Sequence, residues 1–208
     1  MNYSDMTDRV KEITESAFTA AQLALFFTNV EEKIYTTFDL PAIRKNATSE
    51  ITLGSPYVTL PSDFLSAYSL SVVNPTVGEV FLLHKDVNFI REAYPTSSVV
   101  GLPKHYAQFD DDTFIVGPTP DAYYDVELHY LGFPASITTA GTSWLGDNYP
   151  STLINGALVE AARFMKEEQD VVAMYTTMFE QSLLLLNEYA NSKTRKDTYR
   201  SGQRRNVQ

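Results

Sequence analysis

The chain has 208 residues, 44% of them apolar and 20% charged, with a formal net charge of −10 at pH 7. This is ordinary globular usage and leaves room for one large domain or for a core with an inserted module. The absence of cysteine excludes disulfides, thiolate catalysis and Cys-ligated zinc, and the acidic balance argues against a body that wraps nucleic acid, because phosphate affinity comes from cations.

In chain order, Ser4 is the expected cap of a short helix through about Ser16, with Asp5 and Asp8 in the favourable first turn and Val10 and Ile13 on one face. A second helix is expected from near Thr19 to Phe38. Leu23, Phe26, Phe27, Val30, Ile34 and Phe38 recur at three- and four-residue steps and form its apolar stripe. Glu31 and Glu32 are sequential, so they do not face each other as a catalytic dyad, and both are expected on the exposed face opposite Ile34. Pro41 ends the helix or begins a short turn.

From about Ser49 to Pro134 the period becomes two. Tyr123 to Leu131 is the clearest strand, with Tyr124, Val126, Leu128 and Tyr130 on one face and Tyr123, Asp125, Glu127 and His129 on the other. Ile51 to Leu53, Tyr57 to Leu60, Tyr68 to Val73, Val80 to Leu83 and Thr113 to Val116 read as further strands separated by Gly, Pro and Asp turns. A short helix is expected within His84 to Ala93. Thr138 to Pro150 reads as a loop, followed by a helix capped at Ser151 whose buried face is Leu153, Ile154, Ala157, Leu158, Ala161, Phe164 and Met165. A last helix should run from Gln169-Asp170 to about Asn191, with Val172, Tyr175, Phe179, Leu183, Leu186 and Ala190 as a heptad-like seam.

The last sixteen residues hold Lys193, Arg195, Lys196, Arg200, Arg204 and Arg205 against one acid, Asp197, a net of +5; the other 192 residues hold ten cations against twenty-five acids, a net of −15. A basic arm with Tyr199 as its single aromatic residue cannot bury a core of its own; it suggests a chain that completes its structure on a partner, and by charge alone it reads equally as a frayed, solvated terminus or as an arm that contacts DNA. The expected fold class is α+β: an antiparallel helical bundle formed by both chain ends (residues 1–47 and 150–192), an inserted small antiparallel β-sandwich or barrel with its connecting loop (48–149), and an extended C-terminal arm (193–208). The longest apolar runs, Leu23 to Phe27 and Leu183 to Leu186, are too short to span a bilayer. Met1 to Asp5 has neither the basic nor the apolar region of an export signal, so synthesis in a cytoplasm is the expectation.

Motifs that carry chemistry are missing. His84, His105 and His129 are scattered, and the sequence holds no HExxH pair, nucleophile elbow, phosphate loop or dinucleotide fingerprint. His129 alternates with Asp125 and Glu127, which would suit either a carboxylate–histidine metal site or a solvent-facing strand side; the second is the expectation. Asp110-Asp111-Asp112 lacks the spacing of a calcium loop and reads as a charged hairpin turn. Trp144, the only tryptophan, would serve as a binding aromatic or as an anchor for its loop. Catalysis, metal and cofactor are therefore not expected.

An ordered series of segments resembles the head-to-tail adaptor (connector) proteins of tailed bacteriophages. It begins with Phe26-Phe27-Thr28-Asn29-Val30-Glu31-Glu32-Lys33-Ile34-Tyr35 and continues with Leu60-Pro61-Ser62-Asp63-Phe64-Leu65, similar to that family's LPxDF. Gly101-Leu102-Pro103-Lys104-His105-Tyr106 follows, then Phe114 to Asp121 with Pro118, Pro120 and Asp121 in a P-x-P-D hairpin. Ser143-Trp144-Leu145 and Leu153 to Leu158 complete it, over roughly residues 20 to 192. The resemblance implies a ring of subunits, commonly twelve, between the portal and a tail nozzle or tail tube, with the arms reaching the portal and DNA passing through the lumen without specific binding. It also implies a virion protein made in a host bacterium. Another neck, head-completion or tail-terminator protein is the neighbouring reading, and a carbohydrate- or receptor-binding module using the tyrosine-rich strands and Trp144 is a reading of another class.

Overall fold

The computed structural model describes residues 1–74 and 78–193 and is α+β. The described chain forms two compact units, one made of residues 1–42 with those from 135 through the last helix, the other of residues 43–134. These boundaries differ from the expected 47/48 and 149/150. The β unit begins earlier because a polar strand, Arg44–Ile51, carries no apolar alternation to announce it, and only Ile51 in it is buried. It ends earlier because the segment expected as loop, residues 138–150, overlaps two short helices, Ile137–Ala140 and Trp144–Asn148, that belong with the others.

In the helical unit, α1 is Tyr3–Thr14 and α2 is Ala20–Thr37. The cap of α1 is Asn2 and not Ser4: the Asn2 side chain accepts from the Asp5 backbone N–H at 2.8 Å. Thr19 caps α2 in a reciprocal box, with Gln22 N–H donating to its hydroxyl and Thr19 N–H donating to the Gln22 side chain. Leu23, Phe26, Phe27, Val30 and Ile34 are buried, as the stripe requires. A 3-10 turn, Pro41–Ile43, follows. After the β unit come α4 (Ile137–Ala140), α5 (Trp144–Asn148), α6 (Pro150–Met165) and α7 (Gln169–Lys193). Helix α6 starts at Pro150 itself, which fits N1 because a missing N–H costs nothing there, so Ser151 is inside the helix and not its cap. Helix α6 packs on α1, α2 and α7. Gly156 is where α2, α6 and α7 meet: a Cβ there would stand 2.6 Å from a Val30 methyl and 3.0 Å from the Phe179 ring. Phe164, expected in the core, is 53% exposed, and its ring lies against Phe18 and Phe26 at 6.1 and 5.7 Å.

The β unit holds β1 (Arg44–Ile51), β2 (Tyr57–Thr59), β3 (Phe64–Asn74), β4 (Gly78–Phe81), β5 (Leu83–His84), α3 (Val87–Ala93), β6 (His105–Asp110), β7 (Thr113–Gly117) and β8 (Tyr124–Gly132). Two four-stranded sheets form, ordered β1-β8-β3-β4 and β2-β7-β6-β5. All pairs are antiparallel except β5 with β6, which is parallel and departs from the expected all-antiparallel module. Strand β8 keeps its alternation: Tyr124, Val126, Leu128 and Tyr130 are buried while Asp125 is exposed. They share one apolar cluster with Ile51, Leu70 and Val72 of their own sheet and with Val58, Tyr106, Phe114 and Val116 of the other. The second sheet is covered on its other face as well, where Ile115 and Ala107 pack on Ile90 of α3. Burial on both faces explains why Phe114-Ile115-Val116 is a continuous apolar run.

Candidate functional site

The residues singled out by sequence fall into separate clusters, and each is built by local chemistry. In the LPSDF segment, Leu60 is buried and donates its N–H to Asp112 O at 2.8 Å. Asp63 gathers three partners. Its carboxylate is paired with Lys45 of β1 and accepts from the Tyr130 hydroxyl of β8 at 2.9 Å, and its backbone carbonyl accepts from Phe133 N–H at 2.7 Å. Burial pushes the Asp63 carboxyl up, but the hydrogen bonds from Lys45 and Tyr130 and the ammonium charge outweigh it, leaving it below the usual carboxylate range. Phe64 stacks on Tyr130 at 6.0 Å and meets Phe114 edge-on at 5.5 Å. Pro61 closes the turn by accepting from Phe64 N–H. The segment thus ties β1, β3 and β8 together at one end.

The GLPKHY and GPTPD segments, remote in sequence, bind each other. Gly101 N–H donates to Thr119 O at 2.8 Å and Lys104 N–H to Gly117 O at 2.9 Å. Pro118 and Pro120 are buried, the Pro120 carbonyl accepts from Gly54 N–H, and Asp121 accepts from the Tyr124 hydroxyl at 2.6 Å. Gly117 is required by close approach, since a Cβ there would collide with the Tyr94 ring. Trp144 opens α5 and packs on Tyr149 at 5.5 Å and Tyr189 of α7 at 5.3 Å, the geometry of an anchor. Tyr124 and Tyr130 are in the core and Trp144 is in that cluster, so packing takes up these three aromatics, whereas Tyr68 and Tyr123 are exposed.

Glu31 is the residue sequence reasoning misplaced. Glu32 is exposed, but Glu31 is 3% exposed and lies on the core side of α2. It accepts from the Ser136 hydroxyl at 2.5 Å and from Ile137 N–H at 3.0 Å. The carboxylate therefore caps α4 and holds the returning chain onto α2. Burial pushes its pKa up, and the hydrogen bonds from Ser136 and Ile137 partly oppose that. Tyr35, one turn along, is pushed up by its own burial and by the Glu31 charge. The signal for this was present: Glu31 is four residues after Phe27 and three before Ile34, both on the apolar stripe.

On the open face of the first sheet, Ser69 Oγ lies 3.2 Å from His129 Nδ1, and Glu127 lies 3.5 Å from Nε2 while also accepting from Asn46. The line is a cross-strand polar ladder on a half-exposed sheet face. Beside it, a groove of about 470 Å³ is lined by Tyr68, Phe81, His129 and Arg44, whose guanidinium lies 4.6 Å over the Tyr68 ring. The Asp110 to Asp112 segment is a hairpin turn in which Asp112 N–H donates to the Asp110 side chain. Among the described residues, no three His, Cys, Asp or Glu side chains gather as a metal-holding group, and no helix is long and apolar enough to cross a membrane. Of the basic arm, Lys193 closes α7, while Arg195, Lys196, Tyr199, Arg200, Arg204 and Arg205 lie outside the described residues.

A family model described as SU10 adaptor protein matches residues 1–206. No curated protein matches the chain.

Proposed function

Because the chain belongs to the SU10 adaptor protein family, whose members are structural proteins of bacteriophages, we propose that it joins the portal of the capsid to the tail as a ring of copies, prolonging the DNA channel. The observation that carries this reading is the family match over residues 1–206, nearly the whole chain. In the reading, the helical unit formed by both chain ends builds the ring wall, and the β unit, a two-sheet sandwich, is an insertion that meets a tail nozzle or tail tube protein. An acidic body suits a channel, because carboxylates repel DNA phosphates and let the genome slide.

The basic arm, Lys193 to Gln208, is the portal contact. Its arginines offer forked donors to carboxylates and carbonyls, Tyr199 adds one aromatic contact, and many weak arms on one ring gain strength together. The test is truncation after Asn191. The shortened protein should melt within about 1 °C of the full chain, since an arm without Leu, Ile, Phe or Trp adds little to the core. It should fail to bind purified portal, and heads made with it should fill with DNA but leak it or lack tails. A truncated protein that binds portal as tightly as the full chain would falsify the arm's role.

A further inference from the structure

The two sheets of the β unit end side by side in open edges. Strand β1 is the outer strand of the first sheet and β2 of the second, and each has a single strand partner, β8 and β7. Between these edges a slot of about 310 Å³ enters the sandwich. It exists because the inward positions of β1 are small. Ala47 stands opposite Leu128 and Ser49 opposite Val126. Side chains paired across two strands share a face, so both turn toward the apolar cluster. Neither is large enough to close the edge: Ala47 is half-buried and Ser49 is exposed. Val58 and Leu60 line the slot from the β2 side, and the core residues Leu70 and Phe114 line it too. No charged residue lines it.

The edges set what fits. An edge strand offers N–H and C=O groups on its outer side to a further strand, so an occupant that runs along β1 is extended. Its side chains alternate, and every second one enters the slot beside Ala47 and Ser49. The uncharged lining requires those side chains to be apolar. The volume, at the lower end of ligand pockets, leaves room for large ones. The charges of β1 stand toward its ends, at Arg44, Lys45 and Glu50. They guard the edge against indiscriminate pairing and favour a cation in the segment beside exposed Glu50. The stretches of this chain outside the described structure, 75–77 and 194–208, hold no Leu, Ile, Phe or Trp, so they lack the side chains the slot takes. We propose that the slot between β1 and β2 receives an extended segment of a partner protein, which adds a strand to the first sheet. The segment is roughly six residues long, with large apolar side chains at alternate positions and a cation at the Glu50 end. The inference rests on the adaptor reading for its setting, where the partner is the tail-side protein that meets the β unit.

The experiment is fluorescence anisotropy with the full chain titrated from about 1 μM to 1 mM, the range of weak association. The probe is a fluorescein-labelled synthetic peptide of alternating leucine and threonine with a terminal lysine. Wild type should bind it within that range. Two N-methylated versions, one for each alternate set of amides, should differ: the set that faces β1 should cost at least tenfold in affinity and the other set little. Versions that behave alike would show that no strand is added and would overturn the proposal. Ala47→Leu should fill the slot from within, keeping or raising the melting temperature while weakening peptide binding at least tenfold. Ser49→Arg, at an exposed position, should weaken binding as much and replaces Ala47→Leu if the latter does not fold. A wild type that leaves the peptide free at 1 mM, or variants that bind it like wild type, would also overturn the proposal. Attachment to portal-bearing heads is scored separately. A chain that binds the peptide but never joins such heads sinks the adaptor reading and leaves the slot standing, and a chain that joins them without binding the peptide does the reverse.

Discussion

Glu31 shows how one side chain joins two ends of a unit. Its carboxylate accepts from Ser136 and Ile137, 105 and 106 residues further along. Glu31→Ala should destabilise by about 1–3 kcal/mol, because the Ile137 N–H is left buried without its acceptor; chemical denaturation would measure it. Glu31→Gln keeps an acceptor and removes the charge. A carboxyl whose folded pKa is raised binds its proton more tightly in the folded state, so stability falls as pH rises from the ordinary carboxylate value to the folded one. The Gln variant should lose that fall, and a melt series across pH 4 to 7 would reveal a flatter profile (about one pH unit per tenfold change in protonation). Asp63 has the opposite sign. Its lowered pKa gives stability that is present above the ordinary carboxylate value and lost as pH falls through the folded value. Asp63→Asn should therefore destabilise at neutral pH and differ little from wild type in acid.

At the scale of elements, the close approach of α2, α6 and α7 depends on Gly156. Alanine is the better helix former by about 1 kcal/mol, but a Cβ at 2.6 Å from Val30 overpacks the junction, which typically costs about 1–3 kcal/mol. Gly156→Ala should therefore lower the melting temperature, and a raised one would show that the helices can separate freely. Phe179 is buried at the same junction, with the Lys33 ammonium 5.2 Å over its ring. Phe179→Ala should cost roughly 3–5 kcal/mol, against about ±0.5 kcal/mol for exposed Glu167→Ala. The helices with a single strong apolar period, α2 and α6, were legible from sequence because burial and periodicity coincide. Strands β1 and β6 were not. Strand β1 lies at a sheet edge with one buried residue, Ile51, and β6 places Tyr106 in one core and Ala107 in the other, so neither has a repeating apolar face to read.

For the whole molecule, the two compact units predict separable folding. Replacing residues 44–134 by a Gly/Ser linker should leave a soluble helical protein, because the Glu31–Ser136 contact and the α2–α6 packing both lie outside the segment removed. Circular dichroism checks this; an unfolded remainder would show that the helices need the β unit. Each unit owns its core, the β unit through the cluster that its two sheets share.

Whatever rests on local pattern was legible in the chain alone: the long helices, the alternation of β8, the missing cysteine chemistry, the charge split between body and arm, and the ordered segments that resemble the adaptor family. Where those segments meet follows from the fold. Gly101 and Lys104 pair with Thr119 and Gly117, Asp63 binds Lys45 and Tyr130, and Trp144 lies against Tyr189. Such pairings join residues far apart in the chain, and a one-dimensional period carries no information about them. Glu31 had the period of a core residue and the charge of a surface one. Burial was possible because a distant Ser136 and Ile137 supply the hydrogen bonds that a buried carboxylate requires.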